Sequence, residues 1–588
     1  MQHHPTSSRL AALLFACGAV GASCSSTGAD SIQTTSSAVS EPASSDVGND
    51  APATSGTTIV VNAKVYTVDE QASWAEAFAY DADGVIVAVG ARADVEAVAG
   101  PDAAVVDAEG YMVLPGFQDP HVHVPEAGIN QNLCFMPGGR SLSDYEALAA
   151  DCAAQQPGDG WVYAAGPSLF ELRDTDENPL ELLDRAVPDR PILILDDLGH
   201  AVWTNSLGLD AAGVTEESAD PQGGIFHRNS AGELTGLVLE NAQQLIRNAA
   251  AADDDTVYAG LLDALAILAE NGLTTISDAG GYWGQNHPAS WERAQAEGTL
   301  TVRAFNSLYV YPELDVDEQL AEFEKRFTND DDMLRFDTAK IYIDGILDLG
   351  TALLVEPYDV PIDDNYPSGF SYFDRDDLTV YGTALHQMGF RMNFHVIGDQ
   401  AVRTALDIVE GIDATPEEIA DRRHRTTHTY LVHPDDFPRF ADIGVVADFQ
   451  NGADSTDLDY HEFLAEFIGD RAFGLIPVAE MLEAGASVSL SSDWDADELS
   501  PVGGIESALT RQSHAVPDVE TSIALRTIDA AYALGHDDTT GSIEVGKLAD
   551  FVVLDQNLLD IDIGDISETR VLLTVVGGAE TYRAREFR

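Results

Sequence analysis

Lysine is nearly missing from this chain. Lys64, Lys325, Lys340 and Lys547 are its four examples in 588 residues, and arginine carries the remaining positive charge. Acidic residues outnumber basic ones by 100 to 30, a formal net charge of −70. Nucleic-acid binding needs a basic footprint, so this balance argues against a polyanion as partner. It reads instead as a solvated, self-repelling surface that stays soluble in a salty medium. A lysine kept in so lysine-poor a chain therefore calls for a reason. Long apolar runs are scarce near the N-terminus as well: Leu10 to Ala16, behind Arg9, is too short to span a bilayer as a stable helix. Cysteine occurs four times, at positions 17, 24, 134 and 152.

That first apolar run is followed by Gly21-Ala22-Ser23 and then Cys24. Small residues directly before a cysteine resemble a bacterial lipoprotein processing site. Residues 1–24 then read as a signal peptide ending at the lipidation cysteine, Cys24. Gly21 stands where a larger aliphatic residue is usual, and Cys17 is a poorer rival site. On this reading the protein is exported to the cell envelope, on the periplasmic or surface side, and touches the membrane through its lipid anchor only. Ordinary secretion with removal of the leader is the alternative. Residues 25–56, rich in Ser, Thr, Ala and Gly, lack apolar periodicity and read as a flexible tether. Past the tether only Cys134 and Cys152 remain, and they are either a disulfide or two buried thiols.

A chain of this length exceeds one compact core, so two domains or a barrel with an attachment is expected. Residues 57–113 show short alternating strands with an Asp83-Gly84 hairpin turn. Residues 541–588 show a matching set, Gly541 to Lys547, Phe551 to Asp555 and Val571 to Val576. The two ends together predict one β-sandwich. Between them, residues 114–540 alternate strand-like and helix-like segments, the pattern of a parallel βα architecture. Its strands are the one reaching His121, then Leu273–Asp278, Thr301–Phe305, Thr338–Asp344, Phe390–His395, Arg425–Tyr430, Val445–Phe449 and Ala486–Leu490. Eight is the number that a closed barrel needs. A ninth, Pro191–Asp196, falls within an insertion assigned to residues 160–240. The predicted fold is α/β: a TIM-type (β/α)8 barrel with a β-sandwich built from both chain ends and an insertion subdomain.

The chemistry starts at Pro115-Gly116-Phe117-Gln118-Asp119-Pro120-His121-Val122-His123. Side chains two apart on a strand share a face, so His121 and His123 point the same way and can hold one divalent metal. A lone His-x-His is weak evidence, and the question is whether the chain supplies further ligands. Four strands end in such groups. Lys340 lies in an alternating apolar strand, where a bare ammonium is costly to bury. It is a surface lysine, a partner for Asp344, or an amine that takes up carbon dioxide to form a carbamate bridging two metals. His395 and His428 each finish a strand, and either alone reads as a core histidine. Asp493 follows Ser489-Leu490-Ser491-Ser492 and alone reads as a cap or turn residue. Five strand ends carrying such groups fit the end of a barrel where chemistry is placed.

These segments together resemble the amidohydrolase superfamily, and within it amidohydrolase family 3, the N-substituted formamide deformylase-like branch. The resemblance spans residues 57 to 588. It is carried by Pro115 to His123, by Lys340-Ile341-Tyr342-Ile343-Asp344-Gly345 with Thr351-Ala352, and by His395 to Val402. Ser492-Asp493 and Gly541 to Asp550 complete it. Two positions depart from the pattern. Thr427 stands where a glutamate usually precedes the sixth-strand histidine, which would weaken the orientation of His428. Leu349-Gly350 replaces a serine-arginine pair before Thr351-Ala352, which would alter substrate contacts.

The resemblance implies that His121 and His123 hold one metal and His395 and His428 a second, with carbamylated Lys340 between them and Asp493 completing the first. It implies one or two divalent ions, zinc by preference. The implied activity is hydrolysis of a C–N bond in a small molecule (a non-peptide amide, N-formyl or N-acyl compound) by a metal-activated hydroxide. Asp493 would be the catalytic acid–base. His200, in Gly199-His200-Ala201-Val202-Trp203-Thr204-Asn205, is a candidate substrate contact, with Glu240 and Trp494 weaker ones. An esterase or lactonase using the same site is the nearest alternative. A non-catalytic surface-binding lipoprotein on a decayed barrel is the other, and the retention of six ligand-type residues speaks against it.

Overall fold

Strands covered on both faces bury polar as well as apolar side chains, and the polar ones need partners because neither side meets water. Eight such strands lie side by side in one parallel sheet: β1 (Phe117–Val122), β2 (Leu273–Asp278), β3 (Arg303–Tyr309), β4 (Leu334–Tyr342), β5 (Arg391–Val396), β6 (Arg425–His428), β7 (Val446–Gln450) and β8 (Val488–Ser491). Every residue of β1, β2, β3, β6, β7 and β8 is buried. This computed structural model describes residues 56–588 except Asp174 and residues 451–457. The leader read at 1–24, and the tether up to residue 55, lie outside the described residues. Among those described, no helix is long and apolar enough to cross a membrane.

The sheet runs in sequence order from β1 to β8 and curls until its ends meet. Asp493 N–H donates to the His121 carbonyl at 2.9 Å, and His123 N–H donates to the Trp494 carbonyl at 2.7 Å. Helices follow the strands and pack on the outside. One of them, Asp399–Glu410, buries Ala401, Val402, Ala405, Leu406 and Val409, a stripe at helical spacing. Local signals set helix ends: Asp253 caps Asp254–Glu270 by accepting from Thr256 N–H, and Thr415 with Glu418 forms a capping box. The result is a (β/α)8 barrel of the TIM type.

The third and fourth strands are displaced furthest from the spans expected of them. The third runs Arg303–Tyr309 rather than Thr301–Phe305, and the fourth runs Leu334–Tyr342 rather than Thr338–Asp344. Pairing decides both, because the register from Ala304 opposite Leu334 to Tyr309 opposite Lys340 makes one ladder of this length. Asp344 leaves that ladder because its carboxylate accepts from the amides of Leu353, Ile397 and Gly398 at 2.8–3.0 Å.

Between β1 and β2 a second sheet of six strands is inserted, and Ile192–Leu195 is one of its inner strands. Its edge strand is Cys134–Phe135, so it begins upstream of residue 160. A disulfide joins Cys134 to Cys152 on the helix Leu142–Gln155, with their Cα atoms 5.6 Å apart. The β-sandwich uses both chain ends. A four-stranded sheet (Thr58–Val61, Ala77–Tyr80, Ile86–Gly90, Ala104–Asp107) faces a six-stranded one that mixes Lys64–Tyr66, Trp74–Ala75 and Met112–Pro115 with Phe551–Leu554, Val571–Val576 and Ala579–Arg583. Val60, Phe78 and Ile86 meet Val113, Phe551 and Leu573 in its core. Gly541 to Lys547 is not a strand. It is a turn segment pinned to the sandwich, with Ile543 N–H on the Thr67 carbonyl at 2.9 Å, and Gly541 and Gly546 at φ 82° and 98° break any extension.

Barrel and sandwich are joined by a buried ion pair. Arg303, at the start of β3, donates to the two oxygens of Asp550 at 2.7 and 2.9 Å. Replacing Arg303 with Met would leave the Asp550 carboxylate buried and without its cation, which costs about 3–5 kcal/mol. Urea unfolding of Arg303→Met at neutral pH is expected to show that loss, and a change below about 1 kcal/mol would refute this account.

Candidate metal and active site

All six ligand-type residues stand at the C-terminal rim of the barrel. His121 lies in β1 and His123 just beyond it, Lys340 in β4, His395 in β5, His428 at the end of β6, and Asp493 two residues past β8. Asp493 Oδ1 is 3.2 Å from His121 Nε2 and 3.3 Å from His123 Nε2, and its Oδ2 is 3.7 Å from His428 Nδ1. Donor atoms of His121, His123 and Asp493 all fall within 4.8 Å of one another. Lys340 Nζ sits 3.0 Å from His121 Nε2. The His428 ring centre is 5.0 Å from that of His121 and 4.4 Å from that of His395.

Lys340 is wholly buried, so it is no surface lysine. Nor is it the partner of Asp344, whose oxygens are taken by backbone amides. Burial pushes its ammonium down to about 7. Burial also holds His121 and His395 well below the usual imidazole range and takes His428 to about 3, so these rings are neutral at pH 7. Asp493 differs: burial would raise it, but His428, His121 and His123 together hold it well below the usual carboxylate range.

Tautomers follow from the partners. His123 Nδ1 donates to Glu126 Oε2 at 3.1 Å, which leaves Nε2 bare toward Asp493. His121 Nδ1 lies 3.1 Å from Thr427 Oγ1, which in turn donates to Asp448 Oδ2 at 3.0 Å. Ser489 and Ser491 hold that same carboxylate at 2.7 and 2.6 Å. Thr427 therefore orients His121, not His428, and this corrects the expectation attached to its departure from the family pattern. On the other side, His395 Nδ1 and His428 Nε2 are buried with no hydrogen-bond partner among the described residues. Unpaired buried ring nitrogens are costly. Bare imidazole nitrogens beside one carboxylate are the donor set a divalent cation such as zinc takes, so the residues fit the implied metal.

His200 comes from the inserted sheet. Its Nδ1 is 2.6 Å from Glu240 Oε2, and its ring centre is 5.0 Å from that of His395. Glu240 also accepts from Tyr372 Oη at 2.5 Å and from Thr351 Oγ1. Burial lowers the His200 imidazole, but the Glu240 carboxylate overrides it and raises the net value. Glu240, His428, Thr429 and Asp493 all take φ between 50° and 67°, a region non-glycine residues avoid and one that clusters at functional sites.

Two further residues belong to the site. Glu126, after holding His123, is paired with Arg247 through its other oxygen. Gly280 packs against this pair, and a Cβ there would come within 2.6 Å of Glu126 Oε2 and 3.0 Å of His123 Nδ1. The His-x-x-Glu spacing on the helix Val124–Asn130 was a readable signal for Glu126. Arg247 comes from the distant helix Gln243–Ala249 and left no local sign. The Arg173 side chain donates to the carbonyl of Leu349, one of the two positions where the family pattern is broken, at 2.8 Å. Glu126→Gln keeps the shape but removes the charge facing both His123 and Arg247. It is expected to weaken metal retention by about 10–100-fold in a chelator competition.

Comparison with known proteins agrees with this architecture. The profile of the amidohydrolase family matches residues 104–582. The N-substituted formamide deformylase of Arthrobacter pascens is 27% identical over 561 residues, covering 89% of this chain and 98% of that protein. The putative amidohydrolase YtcJ of Bacillus subtilis is 27% identical over 536 residues, covering 88% and 98%. LONG AFTER FAR-RED 3 of Arabidopsis thaliana is 28% identical over 543 residues, covering 89% and 91%. A solved structure of an uncharacterized metal-dependent hydrolase from Pyrococcus horikoshii shares the fold at TM-score 0.68 and 20% identity, over 86% of this chain and 99% of that one. With its family profile matched from before the first barrel strand to the last strand of the sandwich, this chain belongs to the amidohydrolase family, whose members are metal-dependent hydrolases.

Proposed function

We propose that this protein hydrolyses the C–N bond of a small non-peptide amide, an N-formyl or N-acyl compound. The observation that carries the reading is the Asp493 carboxylate, set against His121, His123 and His428 at 3.2–3.7 Å beside two buried, unpartnered imidazole nitrogens. The similarity to an N-substituted formamide deformylase along nearly the whole of both chains supports the N-formyl class.

His121, His123 and Asp493 would hold one divalent ion and His395 with His428 a second, zinc by preference. Lys340 Nζ would join them as a carbamate, formed when the amine adds to carbon dioxide and gives up a proton. Metal bound there supplies Lewis acidity and lowers the pKa of coordinated water toward about 7. Asp493, an anion at neutral pH, accepts the proton of the attacking water on a carboxylate oxygen. It then delivers that proton to the departing nitrogen, which leaves as a neutral amine. Glu240 holds the Nδ1 side of His200, leaving Nε2 for the substrate carbonyl.

Asp493→Asn is expected to lower kcat by roughly 10²–10⁴-fold while most of the metal stays bound, the usual scale for losing an acid–base group. Near-normal turnover of an N-formyl amine by that variant would remove Asp493 from this role. Lys340→Ala should lose both activity and metal by elemental analysis. Acetate or propionate supplied in the buffer should restore part of each, by standing in for the carbamate. Assaying matched amide and ester pairs of one acyl group separates the amidase reading from esterase or lactonase activity.

A further inference from the structure

Beside the ligand cluster lies a narrow cavity that shares only the His200–Glu240 pair with the residues given a role in the reaction above. Tyr282, Tyr309, Tyr342 and Tyr372 line it with Asn241, Gln243 and the His200–Glu240 pair. Its volume is about 10 Å³, room for one water-sized group and no more. Tyr342 forms the wall toward the metal ligands, its ring stacked on His395 with centres 4.2 Å apart. Tyr309 packs on Tyr282 at 5.1 Å and on Tyr342 at 5.5 Å, so the phenols form one continuous wall.

The polar atoms here are unusual in lacking partners. Tyr282 and Tyr309 are 4% and 2% exposed, and among the described residues no protein group hydrogen-bonds their hydroxyls or that of Tyr342. Asn241 Oδ1 and Gln243 Oε1 are buried acceptors, also without a donor. Charges nearby are already spent. Glu240 is held by His200, Tyr372 and Thr351, and Arg247, standing 5.3 Å over the Tyr282 ring, is paired with Glu126. A carboxylate would find no free cation, and an ammonium no free anion. A methyl group would leave the phenol hydroxyls unpaired. A hydroxyl supplies one donor and two acceptor lone pairs, which matches phenol hydroxyls that both donate and accept.

We propose that this cavity receives an uncharged hydroxyl carried by the substrate near its scissile bond, so that the preferred substrates are amides of amino alcohols or of hydroxy acids. This rests on the C–N hydrolase reading above, and its test is kept separate from it. Binding is measured by calorimetry on the metal-loaded, full-length Asp493→Asn protein, which is read without turnover. The probes are N-formyl-3-aminopropanol, N-formylbutylamine and N-formyl-β-alanine, with 4-hydroxybutyramide, pentanamide and succinamate for a hydroxyl on the acyl side. In at least one series the hydroxyl compound should bind about tenfold or more tightly than both its methyl and its carboxylate counterpart. Tyr309→Phe, which keeps the ring, should cut that preference by about fivefold or more. Equal binding of hydroxyl and methyl compounds in both series, or tightest binding of a carboxylate, would overturn the proposal. So would a preference that Tyr309→Phe leaves intact in a variant with an unchanged thermal midpoint. Failure of the wild type to cleave any of these amides would instead sink the assigned reaction, while the binding preference would still stand or fall on its own.

Discussion

The Asp119 carboxylate joins the two ends of the barrel at the place where the ligands gather. It accepts the backbone N–H of His121 and of Ser492, each at 3.1 Å, and so ties the first strand to the residue that precedes Asp493. Its burial is complete, which raises its carboxyl, and the Arg526 charge offsets part of that cost. With the backbone hydrogen bonds from Asp493 to His121 and from His123 to Trp494, this bridge keeps the two halves of the candidate metal site, His121 and His123 on one side and Asp493 on the other, from being the free edges of an open sheet.

Closure concentrates titratable groups where water is scarce, and the surroundings sort them into roles. Burial keeps the imidazoles of His121, His395 and His428 neutral, while the one carboxylate among them stays charged because three rings face it. Holding each ring at the right rotation is work done from outside the cluster. Asp448, with Ser489 and Ser491, fixes Thr427 and through it His121. Glu126 and Arg247 do the same for His123.

The inserted sheet is part of the same arrangement. It delivers Glu240, at φ 55°, to His200, Thr351 and Tyr372, so that one carboxylate links the insertion to the loop after the fourth strand. Helix Gln243–Ala249 follows at once and carries Arg247 to Glu126. The insertion thus contributes both a wall of the cavity beside the candidate metal site and support for His123, one of its candidate ligands. Its own stability rests on a separate apolar core and on the Cys134–Cys152 disulfide.

Alternation by itself determined the barrel, since eight strand-like segments take turns with helices that show as stripes three and four apart. It also determined which residues could carry the chemistry: the His121–His123 pair, and groups as costly to bury as Lys340 and Asp493 at strand ends. Strand limits escaped it, because the extent of β3 and β4 is set by pairing with each other and not by either segment alone. The partners escaped it for the same reason. Thr427 reads locally as a neighbour of His428, yet the strand's alternation turns its hydroxyl toward His121 from the far side of the barrel. Arg247 and Glu126 lie more than a hundred residues apart, and nothing local foretells an ion pair between them. Residue identity set what each group could do, and only the closed barrel, by choosing neighbours across long stretches of chain, decided which group does it.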